Sequence, residues 1–285
     1  MRFFTGLHQP SDARNFAAAC VSIARLRMRK SDFVVGDWIL DSAAFSEIKA
    51  HGRFRHDVKH YAREIRRWAK NAHGRLLAAV SQDWMCETEM LERTALADAE
   101  AAMSSPDPIA RMAAGLARGR RLTPSERAER VRLHQTRTIE RYDALLAEET
   151  GVYIMPVLQG YAPEEYVAHL RAYGKRLTHG MWVGVGSVCK RNGNPGAIVA
   201  VLSAIKAERP DLRLHGFGLK KTSLQHDAIL DLLETADSMA WSQNARKNGR
   251  NANDWRQAKR WTDEMLDRTP SPQQALDLAY SEAAA

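Results

Sequence analysis

The stretch Thr235-Ala-Asp-Ser-Met-Ala-Trp-Ser-Gln-Asn-Ala-Arg246 places one carboxylate, Asp237, at the head of a short apolar run and follows it at once with a polar, basic segment: Gln243, Asn244, Arg246, Lys247 and Arg250. Two other acids stand in similar places. Asp41 ends the apolar run Trp38-Ile-Leu40 and precedes Ser42-Ala-Ala44 and Phe45. Asp83 closes the run Leu76-Leu-Ala-Ala-Val80. A chain of 285 residues and net charge +8 that keeps three acids at the ends of apolar runs predicts an acidic pocket in a basic surface. That layout suits an enzyme that cuts a bond in a polyanion.

Working outward, short β-like runs alternate with helical stretches. The runs are Arg2–Leu7, Val34–Leu40, Leu76–Val80, Val152–Leu158, Met181–Val185, Leu212–Phe217 and Ala236–Trp241. Helical patterns cover His56–Lys70, Pro163–Tyr173, Pro195–Glu208 and Ser223–Glu234. In the first of these, Val58, Tyr61, Ile65 and Trp68 recur at helical spacing. Strands alternating with helices predict βα units and a parallel sheet. Seven strands, with an eighth not placed, predict a (β/α)8 TIM-like barrel spanning residues 1–285 as a single domain. Residues 88–149 are too long for one connection. They are rich in Ala, Glu and Arg, and read as a helical insertion after the third strand, broken at Ser104–Pro108 and at Thr123-Pro124. Residues 253–285 read as a helical extension.

Composition narrows the class. No apolar stretch reaches the ~18 residues of a membrane span. The start, Met1-Arg-Phe-Phe-Thr-Gly6, lacks a signal-peptide pattern. The expectation is a cytoplasmic protein with no membrane partner. Cys20, Cys86 and Cys189 are widely spaced and form no Cys-x-x-Cys, so three reduced thiols are expected. Arginines cluster at Arg63, Arg66, Arg67 and Lys70. They cluster again through Arg111, Arg118, Arg120, Arg121, Arg127, Arg130 and Arg132. Together with the basic segment at 246–250, these clusters point to phosphate binding.

In a barrel of this kind the active site lies at the carboxyl ends of the strands. Asp41, Asp83, Gln159, Gly184–Gly186, His215–Gly218 and Asp237 all fall at or near such ends. Five segments carry a resemblance. Asp41-Ser-Ala-Ala-Phe-Ser46 resembles Asp-Ser-Gly-Gly-Phe/Tyr-Gln. Ser81-Gln-Asp-Trp84 resembles Ser-Phe-Asp-Glu. Val157-Leu-Gln-Gly160 resembles Val-Gln-Gly, and Val183-Gly-Val-Gly-Ser-Val188 resembles Gly-Gly-Leu-Ser/Ala-Val. Ala236–Arg246 resembles Phe-Asp-Cys-Val-Leu-Pro-Thr-Arg-x-Ala-Arg. These are the motifs, in order, of the tRNA-guanine transglycosylase family, whose barrel exchanges guanine for a 7-deazaguanine. The resemblance covers roughly residues 34–250 apart from the insertion.

The departures narrow it further. The family's zinc site, Cys-x-Cys-x-x-Cys and a His after the last motif, has no counterpart, since no cysteine follows Cys189. The resemblance therefore implies no zinc subdomain, no metal and no cofactor. Gly-Gly becomes Ala43-Ala44, the base-facing methionine becomes His215, and the first arginine of the last motif becomes Gln243. These changes, with Gly186–Arg191 and Leu214–Lys220, look like the branch that puts 7-deazapurines into DNA in phages and bacterial modification clusters. That setting also allows for a helicase-like or other modification-system partner.

The resemblance implies roles. Asp237 is the nucleophile and Asp41 the acid–base. Asp83 takes the guanine N1–H and amine. Gln159 and a backbone N–H near Gly184–Gly186 bond O6. Phe45 stacks on the base, with His215 on its other face. Lys190, Arg191, Lys220, Lys221, Arg246, Lys247 and Arg250 hold flanking phosphates of a nucleotide drawn from its stack. Three other readings stand beside this one: a tRNA-directed transglycosylase without its zinc module, a non-catalytic nucleic-acid-binding subunit, and an unrelated barrel glycosidase. The intact Asp41, Asp83 and Asp237 weigh against the second, and the charge against the third.

Overall fold

A computed structural model describes residues 1–117 and 120–266. Arg118 and residues 267–285, which the sequence reading placed in a basic cluster and in the C-terminal extension, lie outside the described residues. The chain runs β1 (Arg2–Leu7), β2 (Ala18–Ser22), β3 (Phe33–Asp41), α1 (Ala44–His51), α2 (Val58–Asn71), β4 (Ala72–Val80), α3 (Thr88–Ala102), α4 (Pro108–Ala117) and α5 (Pro124–Leu146). It continues through β5 (Ile154–Met155), β6 (Val157–Leu158), α6 (Pro163–Tyr173), β7 (Trp182–Val185), α7 (Pro195–Glu208), β8 (Arg213–Gly216), α8 (Lys221–Leu224), α9 (Asp227–Leu232), β9 (Thr235–Ser238), α10 (Ala240–Lys247) and α11 (Trp255–Leu266).

The nine strands form one sheet in the order β5-β4-β3-β2-β1-β9-β8-β7-β6. Every pairing is parallel. The two strands at the ends of that order are consecutive in the chain and separated only by Pro156. The peptide N–H groups of Ala79 and Ser81 donate to Tyr153 and Met155 on one side, and those of Gly184 and Gly186 donate to Pro156 and Leu158 on the other. Proline has no N–H to offer a ladder, so the strand breaks in two at this residue.

The strand missing from the sequence reading is β2. Its neighbourhood, Phe16-Ala-Ala-Ala-Cys-Val-Ser22, is alanine-rich, and alanine has little strand preference. Pairing on both sides, to β1 and β3, imposes the extended form. The expected strand Ala236–Trp241 stops at Ser238. Met239 ends it and Ala240–Lys247 is helical, with the Trp241 indole donating to the Gly6 carbonyl at 2.7 Å. Ser223–Glu234 divides into α8 and α9. Residues 88–146 hold three helices, and Thr123 with Glu126 forms a capping box at the start of α5.

Two layers of apolar packing follow from strand alternation. One carries Leu7, Val21, Leu40 and Ala79 against the helices, with Tyr61, Ile65, Trp68, Tyr166, Leu202 and Ile205. The other is separate and comes almost wholly from the opposite strand faces: Phe4, Ala18, Cys20, Ile39, Ala78, Val80, Met155, Val157 and Trp182. Among the described residues, no helix is long and apolar enough to cross a membrane. Cys20, Cys86 and Cys189 are free thiols.

Candidate active site

Register puts the candidate residues on the same face as that second cluster. Asp237 pairs with Phe4, Cys20 with Ile39, and Gly184 with His215, which pairs with Thr235. Asp41 lies two residues past Ile39 and next to Ser22. The carboxyl ends of β3, β7, β8 and β9 therefore present Asp41, Gly184 and Gly186, His215 and Asp237 to one space, and the loop after β4 adds Asp83.

Asp237 is held firmly. Its Oδ1 accepts from the Gly218 N–H at 3.1 Å and lies 3.3 Å from His215 Nε2. His215 Nδ1 is 2.8 Å from Thr235 Oγ1, which itself accepts from the Trp182 indole N–H at 2.8 Å. An ionised Asp237 can only accept, so in a neutral ring Nδ1 takes the threonine hydroxyl's hydrogen. The imidazole proton then sits on Nε2, directed at Asp237. The imidazole is fully buried between Phe4, Trp182 and Phe217. Its ring meets all three at steep angles, and its Nε2 is turned to the Asp237 carboxylate, where the resemblance implied a ring face toward the base.

Asp41 Oδ2 accepts from the Ala43 N–H at 3.0 Å. Burial pushes its carboxyl above the usual range. Hydrogen bonds from Ser22 and Ala43 pull it down, and the Asp237 charge pushes it up again. Ala43 adopts the left-handed conformation at φ +63° where the related motif has glycine. Asp83 is pushed up to about 7, chiefly by burial. The Gln159 hydrogen bond opposes this and the Asp41 charge adds to it. The three carboxylates thus feel one another, which is what a shared pocket produces.

Gln159 is fully buried, with its Nε2 donating to Asp83 Oδ2 and its Oε1 accepting from Ser187 Oγ at 2.9 Å. The two glycines make room. A Cβ on Gly184 would meet the Phe217 ring at 2.4 Å, and one on Gly186 would meet Gln159 Nε2 at 2.1 Å. Their peptide N–H groups donate to Pro156 and Leu158, so neither serves as the expected donor to a base oxygen. Phe45 is 42 % exposed, with Lys190 Nζ 4.7 Å and Lys49 Nζ 5.5 Å from its ring centre.

The cations divide. Arg246, Lys247, Arg250, Lys190 and Lys220 are exposed. Arg191 lies 4.2 Å over the Tyr161 ring. Lys221 is tied to the fold by its ion pair with Glu264 and its place over Trp261. In the two helical arginine clusters, read as phosphate sites, several members are already paired with acids of the fold, within a helix or between elements. Arg66 pairs with Glu148, Arg67 with Glu64, Arg120 with Glu126, Arg127 with Glu165, and Arg130 with Asp98.

Several site residues escaped the sequence reading. Thr235 sits two residues before Asp237 on the same strand face, and strand alternation could have flagged it. Ser187 and Glu87 had no such signal. Glu87 is buried, its Oε2 has no hydrogen-bond partner, and burial pushes its carboxyl up, with Ser187 and Lys190 pulling it down. Among the described residues no group of three or more His, Cys, Asp or Glu is placed to hold a metal.

A family model described as DpdA, DeoxyPurine in DNA protein A, matches residues 1–118 and 121–261, and the chain belongs to that family. No curated protein matches.

Proposed function

We propose that this member of the deoxypurine-in-DNA family replaces guanine in DNA by a 7-deazaguanine such as 7-cyano-7-deazaguanine, through a covalent intermediate on Asp237. Family membership supports a transglycosylase-type enzyme acting on DNA. The observation that carries the finer reading is the Asp237 carboxylate, fixed by His215 Nε2 and the Gly218 N–H and with its charge felt by a second acid, Asp41.

The chemistry is a double displacement. A carboxylate oxygen of Asp237 attacks C1′ of the target nucleotide, the bond from C1′ to guanine N9 breaks, and its electron pair stays with the base. Asp41, whose hold on a proton is strengthened by burial, gives the leaving guanine its proton. The incoming deazaguanine returns a proton to Asp41, its nitrogen attacks C1′, and Asp237 departs. Two inversions retain configuration, as in retaining glycosidases. Asp83 accepts from the base N1–H and amine, with Gln159 and Ser187 setting its orientation. His215 positions the nucleophile. Phe45 offers an exposed ring for the base or its neighbour.

The reading takes the sheet as a (β/α)8 barrel, with residues 154–158 as one strand serving both neighbours. Its support is the single-residue break at Pro156 and the separate inner cluster around Phe4, Cys20 and Met155. A target nucleotide reaches such a mouth only after leaving its stack, at a cost of a few kcal/mol in a duplex. Single-stranded or locally opened DNA should therefore react faster than intact duplex.

The deciding experiment incubates the protein with labelled guanine or 7-cyano-7-deazaguanine and either DNA or tRNA. Label should enter DNA at deoxyguanosine. Incorporation into tRNA with none into DNA refutes the reading.

A further inference from the structure

A second group of polar side chains gathers at the same end of the sheet, beside the nucleophile strand. His8 follows β1, and Ser242 lies in the first turn of α10, five residues after Asp237. Strands β1 and β9 are neighbours, with Thr5 opposite Ser238. His8 Nε2 is 2.8 Å from Ser242 Oγ, and His8 Nδ1 is 3.1 Å from Arg25 Nη2. Arg246 Nη2 lies 3.5 Å from the same serine oxygen. Trp241 packs edge-on against His8 at 5.7 Å and anchors its indole on the Gly6 carbonyl.

The direction of these bonds is forced. A guanidinium only donates, so His8 Nδ1 accepts from Arg25 and the ring proton sits on Nε2. That proton goes to Ser242 Oγ, which also faces Arg246. The serine hydroxyl hydrogen is thereby left for an acceptor outside the group. Burial lowers the ring's basicity, and the charges of Arg25 and Arg246 lower it further. Both guanidiniums are exposed, and among the described residues neither forms an ion pair. Arg127, by contrast, is paired with Glu165. Two unpaired guanidiniums, a hydroxyl with its hydrogen free and no carboxylate make a set of donors without an acceptor.

We infer that His8, Arg25, Ser242 and Arg246 form a binding site for one backbone phosphodiester adjoining the nucleotide attacked by Asp237. Two guanidiniums and a hydroxyl match the unesterified oxygens of a phosphodiester. The site rests on the reading of DNA as substrate. It joins Arg246 to residues just after β1 and just after β2, far from it in sequence. It fixes the sugar beside Asp237 from the 235–246 side of the mouth, opposite the Asp83 and Gln159 that face the base.

The test replaces one phosphate at a time by an uncharged methylphosphonate along a single-stranded oligonucleotide containing the target guanine, and measures binding. The wild type should lose about tenfold at one linkage next to that guanine, as expected for one charge-assisted contact. Arg25→Gln should bind the native oligonucleotide about tenfold more weakly and be indifferent to that linkage. Its salt dependence should be shallower by about 0.7 in log–log slope. Arg25 is exposed, and an unchanged melting curve verifies folding. A methylphosphonate profile in Arg25→Gln identical to the wild type overturns the inference, as does a wild type with no sensitive linkage. Binding requires no base exchange. A wild type with the expected profile that exchanges no base in DNA overturns the proposed function alone.

Discussion

His215 Nε2 lies 3.3 Å from Asp237 Oδ1, and the opposite ring nitrogen lies 2.8 Å from Thr235 Oγ1. The histidine engages Oδ1, so with Asp237 as the proposed nucleophile Oδ2 is left for attack. Replacing His215 by Phe keeps the packing with Phe217 but removes both bonds. We expect kcat to fall about 10–100-fold with KM for DNA little changed, since the lost interaction serves the reacting carboxylate. His215→Gln, whose amide can both accept and donate, should recover part of the loss. Equal losses in the two variants, or a loss in KM alone, would contradict the positioning role.

Asp237 itself has no substitute on its strand. Asp237→Ala should lower base exchange at least about a thousandfold and leave DNA binding and melting temperature close to the wild type. Wild-type protein trapped with its oligonucleotide should give a covalent adduct that peptide mapping places at Asp237. An adduct on another residue sinks the assignment.

Asp83 links function to pH. Its carboxyl is raised to about 7 in the folded protein, above an ordinary value of 3.8. Between those values the folded state holds the proton that the unfolded state has released, so this group lowers stability progressively as pH rises from about 4 to about 7. Asp83→Asn removes that penalty. The variant should be more stable by on the order of 1–3 kcal/mol at pH 8, with a smaller gain at pH 5, in denaturant titrations. It should also lose base exchange, because an amide cannot accept from both base donors. In the wild type, affinity for the base should weaken below pH 7 as Asp83 takes up its proton.

Ala43 occupies a left-handed conformation at φ +63°, directly after the Asp41-Ser42 turn. A Cβ there costs roughly 1 kcal/mol relative to glycine. Ala43→Gly should therefore stabilise the protein by about that amount, read as a shift in denaturation midpoint. A destabilised variant would show that the Ala43 methyl group contributes more to packing than the backbone conformation costs.

Much of this site was legible in the sequence because it follows strand ends. Asp41, Asp83 and Gln159 follow apolar runs and Asp237 heads one, and a parallel sheet brings such ends together. What stayed hidden depended on partner choice. Three consecutive alanines before Cys20 disguised β2 until both flanking strands were in place. Met239-Ala-Trp241 read as strand by its apolar character, yet Trp241 is needed in the helix to reach Gly6. Arginine clusters on α2 and α5 looked like phosphate sites because acids such as Glu148, Asp98 and Glu165 are distant in sequence and near in space. His215 was placed at the right strand end, but its bonds to Thr235 and Asp237 could not be read from spacing, because ring orientation is set by neighbours on other strands.

The missing side chain at Gly186 has a further consequence. The space that a methyl group would fill is taken by the Gln159 amide, 2.1 Å from the place where the carbon would stand. Any other residue at 186 would displace Gln159 and, with it, the carboxyl of Asp83 that it holds. The pocket floor is thus a locked position along the route by which such a protein could acquire a new base preference. On the proposed reading of this pocket as the base site, changes that reshape it must enter through exposed positions such as Phe45, whose replacement leaves that close contact intact.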